Sequence, residues 1–194
     1  MAKTRHEEQS EQTQRRLMNA TRDLVVSRGW AATSSRAIAE RAGVNQALIN
    51  FHFKGKAGLF RATLDRCVDE IEKDFGPWMA ASSLTAYIDK CVESMPRIRR
   101  NKNFKFLFAA MLEGAHDADI KAAAIEQMRA FRDGLRVFLT GQGIPDDDVG
   151  RYTAIMAAAM DGLMIHFMLD PSTDAEGALR TFEEMVELAV RARR

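Results

Sequence analysis

Residues able to do chemistry are scattered through this 194-residue chain, and only one group of them is organised. Glu113 and His116 stand three apart, the spacing by which carboxylate-rich helical bundles present metal ligands. Such sites need a second pair of this kind and glutamates from further helices, and neither is in the sequence. Asp161 and His166 interrupt an apolar run but, five apart, do not share a helix face cleanly. They read as polar groups of a core or of a dimer interface, with orientation of a ligand as the alternative. Cys67 and Cys91 form no CxxC pattern and read as reduced, buried thiols. Arg97, Arg99, Arg100, Lys102 and Lys105 make a basic cluster that could attract an anionic effector, though such a run more often forms a wet loop. No nucleophile–base pair emerges, so no enzymatic activity, metal or cofactor is expected. The organised group is Arg36, Gln46, Ala47 and Lys56. Arginine pairs bidentately with guanine, glutamine with adenine, and an alanine methyl can meet a thymine methyl. A lysine at a helix N-terminus adds to the attraction of backbone N–H groups for phosphate. This is the chemistry of reading a DNA major groove.

The elements that must position these residues lie between Thr33 and Phe60. Ser34 or Thr33 can cap a first helix, because a hydroxyl oxygen accepts the free N–H groups of the first turn. Ile38, Ala39 and Ala42 give that helix one apolar face. Gly43 stands where the helix ends and the backbone needs a left-handed residue. Asn45 caps a second helix through Ala47, Leu48 and Ile49. Two helices across a glycine-containing turn make a helix-turn-helix, whose second helix is the one expected to enter the major groove. Gly58, inside the following helix, is expected to cost about 1 kcal/mol relative to alanine.

At these residues the sequence resembles the DNA-binding domain of the TetR family of bacterial transcriptional regulators. The matching runs are IAERAGV (Ile38–Val44) and LINFHFKGKAGLF (Leu48–Phe60), in which an aromatic-His-Phe segment precedes Lys-x-Lys-x-x-Leu-Phe. The resemblance covers about the first third of the chain. It implies that Ser35, Asn50, His52 and Lys56 touch phosphates and that Arg36, Gln46 and Ala47 face bases, with Asn45 in the same DNA-facing segment. The sequence departs from the family pattern at Asn50, where an aromatic hydroxyl residue is common, and at His52, where tyrosine often stands. Both side chains can still donate a hydrogen bond.

Composition fits this reading. Hydrophobic residues make up 46% and charged residues 28%, ordinary for a globular protein. The net charge of +1 hides an asymmetry: residues 1–60 carry ten Lys/Arg against five Asp/Glu, leaving the remainder acidic. A basic head on an acidic body suits a DNA-binding module joined to a domain of another kind. The opening MAKTRHEEQSEQ has no apolar core and reads as carrying no secretory signal. The run Ala154–Leu169, interrupted by Asp161, reads as too short for a membrane span, so no membrane partner and a cytoplasmic location are expected.

In order, residues 1–10 are expected to be a disordered polar tail, in which Lys3 and Arg5 could touch phosphates. A helix follows over Ser10–Arg28, with Trp30 plugging the core under the next loop. After the recognition helix, Leu59, Phe60, Thr63, Leu64, Cys67, Val68, Ile71 and Phe75 form one stripe, so a long helix runs Lys56–Phe75 and stops at Gly76-Pro77. Five more are expected over Leu84–Met95, Asn103–Ala115, Asp119–Thr140, Asp147–Leu169 and Thr173–Ala192. The breaks fall at Pro96, at Gly114–Asp117, at Gly141-Gln142-Gly143 with Pro145, and at Asp170-Pro171, with Ser172 or Thr173 capping the last helix. The fold class is all-α, nine helices in all. A helix-turn-helix domain is expected over 1–55 and a helical effector-binding and dimerisation domain over 56–194.

Methionines are concentrated from Met79 to Met185, and their flexible thioethers suit a pocket that accepts varied shapes. By resemblance, a small-molecule effector binds between the helices of the body. Trp78, Phe104, Phe108, Met111, Met160 and Met164 are the candidate lining, with ordinary core as the alternative for each. Ala158 and Gly162 belong to a stripe of small residues that lets another helix approach. Leu179, Phe182, Val186 and Ala189 recur at helical spacing on the last helix. By resemblance, the last two helices pair with their twins to form a homodimer that fits a near-palindromic operator in double-stranded DNA. The expectation is therefore a repressor released by an unknown effector. The alternatives are a DNA-binding regulator controlled by a protein partner, or a helical enzyme or metal-binding bundle.

Overall fold

The structure is a computed structural model and describes residues 4–170 and 172–191. Among them run nine α-helices, one 3-10 turn and no strand: α1 (Arg5–Arg28), α2 (Ser35–Ala42), α3 (Ala47–Phe53), α4 (Lys56–Phe75), the turn Gly76–Trp78, α5 (Leu84–Arg100), α6 (Lys102–Glu113), α7 (Ala118–Gly141), α8 (Asp146–Leu169) and α9 (Ala175–Arg191). The all-α expectation of three helices and then six holds.

Of the boundaries that differ from the sequence reading, three have an identifiable physical cause. First, α1 begins at Arg5 rather than Ser10, because Thr4 and Glu7 form a capping box. The Thr4 hydroxyl accepts the Glu7 N–H at 3.3 Å, and the Glu7 carboxylate accepts the Thr4 N–H at 2.8 Å. Arg5 is thus helical, and Lys3 lies outside the described residues. Second, α5 does not stop at Pro96 but continues to Arg100. An interior proline costs roughly 3 kcal/mol. The buried stripe Tyr87, Cys91, Met95 and Ile98 runs past it and keeps the last turn in the core. Arg97, Arg99 and Arg100 therefore sit on the final turn of a helix, where cations complement the helix dipole, rather than in a loop. Lys102 and Lys105 are on α6. Third, α9 starts two residues later than expected, and the cap is Asp174, whose Oδ1 accepts the Gly177 N–H at 2.8 Å. Ser172 turns back instead, donating N–H and O–H to Asp170 Oδ1 at 2.9 and 2.7 Å. Pro171 and the side chain of Ala189 lie outside the description.

The chain folds into two compact units, Met1–Ile71 with Lys102–Glu126, and Glu72–Asn101 with Gln127–Arg194. Helices α4 and α7 each begin in the first unit and end in the second.

The first unit has two apolar clusters. Leu17, Ala20, Ile38, Ala39, Ala42, Ile49 and Leu59 join α1 to α4, a core that three helices alone could not enclose. Val25, Trp30, Phe60, Leu64, Cys67, Phe106, Ala110, Ile120 and Ala123 bring α6 and the start of α7 onto α1 and α4. Trp30 is the plug the sequence suggested: 6% exposed, its ring 4.6 Å from that of Phe60 and edge-on to it.

In the second unit Tyr87, Ile88, Cys91, Leu135, Phe138, Leu139, Met156, Met160, Met164 and Leu179 are buried. Helix α8 is the described helix that is long and apolar enough to cross a membrane by length and composition alone. The apolar run Ala154–Leu169 is the C-terminal part of this helix, as expected. One such helix is weak evidence, and the Met156, Met160 and Met164 face is taken up inside the second unit.

Candidate nucleic-acid interface

The geometry of the recognition segment is set by three backbone devices. Ser34 caps α2, its Oγ accepting the Ala37 N–H at 3.2 Å. Thr33, the other candidate, is buried and donates its hydroxyl to the Gly29 carbonyl at 2.7 Å. Gly43 ends α2 in the left-handed region (φ 63°, ψ 43°), and the Arg16 guanidinium donates to the Ala42 and Gly43 carbonyls that the helix end leaves free. Asn45 Oδ1 accepts the Ala47 N–H at 2.8 Å and starts α3.

A further device is Gly58. A Cβ there would lie 1.9 Å from the Phe53 carbonyl oxygen. The cost expected of a helical glycine is therefore spent on a close approach: α4 passes against the end of α3 at a distance that only hydrogen allows. Lys54 bridges the two helices at φ 60°, an unusual conformation for a residue with a side chain.

Because Ile49 points into the core, α3 turns the opposite face to solvent. Gln46, Ala47, Asn50, Phe51 and Lys54 are all exposed; Ala47, Asn50 and Phe51 follow the i, i+3, i+4 spacing of a single helix face, and Lys54 stands at its C-terminal end. Phe51 is 77% exposed. Phe51 lies within the TetR-like run, where the resemblance implies no role for it; its i+4 spacing from Ala47 is the signal in the sequence that puts it on this face. Asn45 is exposed, and Ser35 and His52 are half-buried. Arg36 is exposed on α2 and paired with Glu40 at 2.8 Å. Its pKa is raised by the hydrogen bond and charge of Glu40.

Lys56 is placed differently from the expectation of a free phosphate-binding ammonium. Its Nζ donates to the Trp30 carbonyl at 3.3 Å and sits 3.7 Å from the centre of the Trp30 ring. Burial holds the Lys56 amine below its usual range, partly opposed by the charges of Asp117 and Glu113. Trp30 is anchored in turn: its N–H donates to Glu113 Oε1 at 3.2 Å and its indole N–H to Asp117 Oδ2 at 3.4 Å. Glu113 is thus engaged by the loop after α1. Among the described residues, no group of three or more His, Cys, Asp or Glu could hold a metal.

A polar network joins α1 and α4 to α6. Arg22 donates to Asn103 Oδ1 at 2.8 Å, Asn103 donates to Glu70 Oε2 at 2.8 Å, and Arg66 donates to Glu70 Oε1 at 2.8 Å. Burial raises the Glu70 carboxyl, but these bonds and the two guanidinium groups outweigh it and hold its pKa low. Asp23 behaves alike: burial is outweighed by Lys102 at 3.0 Å and Arg41 at 3.4 Å. Asn103 is 7% exposed.

The six pocket candidates are divided between the units. Phe104 and Phe108 are buried and Met111 half-buried on α6 in the first, whereas Trp78 is half-buried and Met160 and Met164 are buried in the second. Of the dimer candidates, Leu179 is fully buried within its own chain and thus committed to the core. Ala158 is exposed, and Gly162, Phe182 and Val186 are half-buried. The large apolar side chains left in water on α8 and α9 are Ile155 (64% exposed), Leu169 (79%), Met185 (63%) and Leu188 (66%). Both cysteines are buried, and burial pushes their thiols up to about 12. His166 is exposed.

A helix-turn-helix with an outward-facing second helix on an all-helical body defines a DNA-binding transcriptional regulator. Residues 17–63 match the bacterial regulatory proteins of the tetR family, and residues 80–192 match the tetracyclin repressor-like C-terminal domain. The chain belongs to the TetR family, whose members are non-enzymatic DNA-binding proteins. It is 41% identical over 54 residues to the uncharacterized HTH-type transcriptional regulator YvkB of Bacillus subtilis (strain 168), a match spanning 28% of this chain and 29% of that protein. Among solved structures it resembles a transcriptional regulator from Rhodococcus sp. Rha1 (TM-score 0.71, 22% identity, 91% of this chain and 96% of that one). It also resembles NalD of Pseudomonas aeruginosa, the secondary repressor of the MexAB-OprM multidrug efflux pump (TM-score 0.68, 22% identity, 90% and 95%). At these identities the likeness shows the fold.

Proposed function

We propose that this regulator is a homodimeric repressor released from a near-palindromic operator by a small-molecule effector. The observation that carries the DNA-reading part is the solvent-facing row Ala47, Asn50, Phe51 and Lys54, with Gln46 at its start. Gln46, Ala47 and Arg36 face bases, and Phe51 adds apolar contact to a thymine methyl. Ser35, Asn50, His52 and Lys54 meet phosphates, while Asn45 shapes the start of the helix. Lys56 joins the phosphate set when its ammonium leaves the Trp30 ring. Residues 1–55 form the reading module and 56–194 the sensing and pairing module, working at the bacterial nucleoid in the cytoplasm.

Pairing is supported by Ile155, Leu169, Met185 and Leu188, large apolar groups on the last two helices that a single chain leaves in water. Ala158 and Gly162 allow close approach there, with Phe182 and Val186 beside them. A twofold dimer fits half-sites about one helical turn, roughly 34 Å, apart. Effector binding in the body changes the spacing of the two heads through α4. A coupling of about 1–3 kcal/mol gives a roughly 5–150-fold loss of operator affinity.

Selection of binding sites from random-sequence DNA, followed by sedimentation of the complex, tests the reading. It predicts an inverted repeat bound by two chains. Recovery of no preferred sequence, or binding by a single chain, contradicts it.

A further inference from the structure

Lys56 opens α4 close after the helix that reads DNA, yet its ammonium is turned inward. It lies 3.7 Å from the centre of the Trp30 ring and donates to the Trp30 carbonyl at 3.3 Å. That carbonyl also accepts the Thr33 N–H at 2.9 Å. Trp30 is held in turn by two carboxylates: Glu113 Oε1 accepts its backbone N–H at 3.2 Å, and Asp117 Oδ2 accepts its indole N–H at 3.4 Å. Asp117 is fixed by its other oxygen, which accepts the Asp119 and Ile120 N–H groups at 3.0 and 3.1 Å at the start of α7. Trp30 and Lys56 belong to the family match over 17–63, and Glu113 and Asp117 to the C-terminal match over 80–192.

Each link favours the next. An indole whose N–H donates to an anion carries more electron density on its ring, and a richer ring attracts a cation more strongly. Burial works against an ammonium at this place, and the charges of Asp117 and Glu113 work for it. An oxygen acceptor and a negative potential are also what a DNA phosphate offers a lysine. One ammonium cannot occupy both places.

We propose that Glu113 and Asp117 are positioning residues that act through Trp30 to hold Lys56 back from DNA, an internal competitor for the phosphate. The inference rests on the contact of Lys56 with phosphate in the proposed function. Phosphate contacts carry no sequence information, so the hold lowers affinity for all DNA alike.

The test is fluorescence anisotropy of the full-length protein with its selected DNA site and with an unrelated duplex, over a range of salt concentrations, with urea denaturation to confirm folding. The double variant Glu113→Gln, Asp117→Asn removes both charges, while the glutamine still accepts the Trp30 N–H and the asparagine still caps α7. The expected result is about tenfold tighter binding to both DNAs, with a salt slope steeper by about 1 for each Lys56 released. Trp30→Phe, which changes no charge, should give a smaller gain in the same direction. Neither gain should survive in a Lys56→Ala background. A clamp that served the fold alone would weaken binding when broken. Weaker or unchanged binding therefore overturns the assignment, and so does a gain that persists without Lys56, which would report only a general loss of negative charge. A second reading leaves the clamp intact. The chain has two tryptophans, so in Trp78→Phe protein the emission is that of Trp30. It should shift when DNA binds if Lys56 is present and not in Lys56→Met; equal behaviour of the two would also overturn the inference. If Lys56→Ala binds DNA as the wild type does, with the same salt slope, the phosphate contact itself falls. If Lys56→Ala weakens binding and the clamp variants gain nothing, only the internal competitor falls.

Discussion

The two units join their buried polar groups to different extents. In the first, Arg22, Asn103, Glu70 and Arg66 form a continuous chain of bonds between α1, α4 and α6, and Asp23 is held between Lys102 and Arg41, so that each side chain is anchored although Arg22 Nε and Arg66 Nη1 make no bond of their own. In the second, Tyr87 and Thr153 have unpartnered hydroxyls and Asp161 stands without a base. A unit that presents one fixed surface to a groove gains from having its polar atoms tied down, since each net bond adds about 1 kcal/mol and removes alternative arrangements. A unit that must respond to another molecule gains from leaving groups for that molecule to complete. The contrast accords with the proposed division into a reading unit and a sensing unit.

Substitutions can test the contrast directly. The largest effect is expected at Gly58, where any Cβ meets the Phe53 carbonyl. Gly58→Ala should destabilise the protein by about 3 kcal/mol or more, as overpacking against backbone does, and abolish operator binding, read by urea denaturation and DNA binding together. Next, Asn103→Ala leaves Arg22 and Glu70 without their shared partner. It should cost about 2 kcal/mol, against a much smaller loss for Thr153→Ala, whose hydroxyl bonds nothing. Equal losses would erase the difference between the units.

A smaller effect, of opposite sign, is expected at Asp161. Burial pushes its carboxyl up to about 6 from an ordinary 3.8, so the folded chain favours the protonated form. Stability from this group is full below about pH 4 and is lost as pH rises towards 6. Asp161→Asn should therefore raise Tm by about 2 °C at pH 7.5 and change it little at pH 4, by calorimetry without ligand. The smallest is at Thr4: Thr4→Ala removes the capping box and should cost about 0.5–1 kcal/mol, visible as faster amide exchange in the first turn of α1.

Much of the reading unit was legible because its determinants are local. Gly43, Ser34 and Asn45 act on neighbours within four residues, and sequence spacing reports such pairs directly. The Thr4–Glu7 capping box was equally local and went unread beneath the polar composition of the first ten residues. Pro96 misled because its local penalty was outweighed by burial of Met95 and Ile98 in a core assembled from distant helices. The inward turn of Lys56 could not be read, since its partners Trp30, Glu113 and Asp117 lie tens of residues away and meet only in the fold. Leu179 fitted an interface stripe by periodicity, but periodicity marks a buried face without saying what buries it. Asp161 was noticed as a polar interruption; that it has no partner is a fact of three-dimensional neighbours alone.

The most direct measurement is fluorescence anisotropy with the selected DNA site over a range of salt concentrations, for wild type, Gln46→Ala and Lys54→Ala. The outward row of α3 predicts nanomolar, sequence-selective binding by the wild type. Gln46→Ala should lose about 1–3 kcal/mol of discrimination at one base pair of each half-site. Lys54→Ala should weaken binding to all sequences alike, with a salt slope shallower by about 1 for each Lys54 at its phosphate. Weak wild-type binding indifferent to sequence, or variants that bind as the wild type does, would contradict the assignment of α3 as the helix that reads DNA.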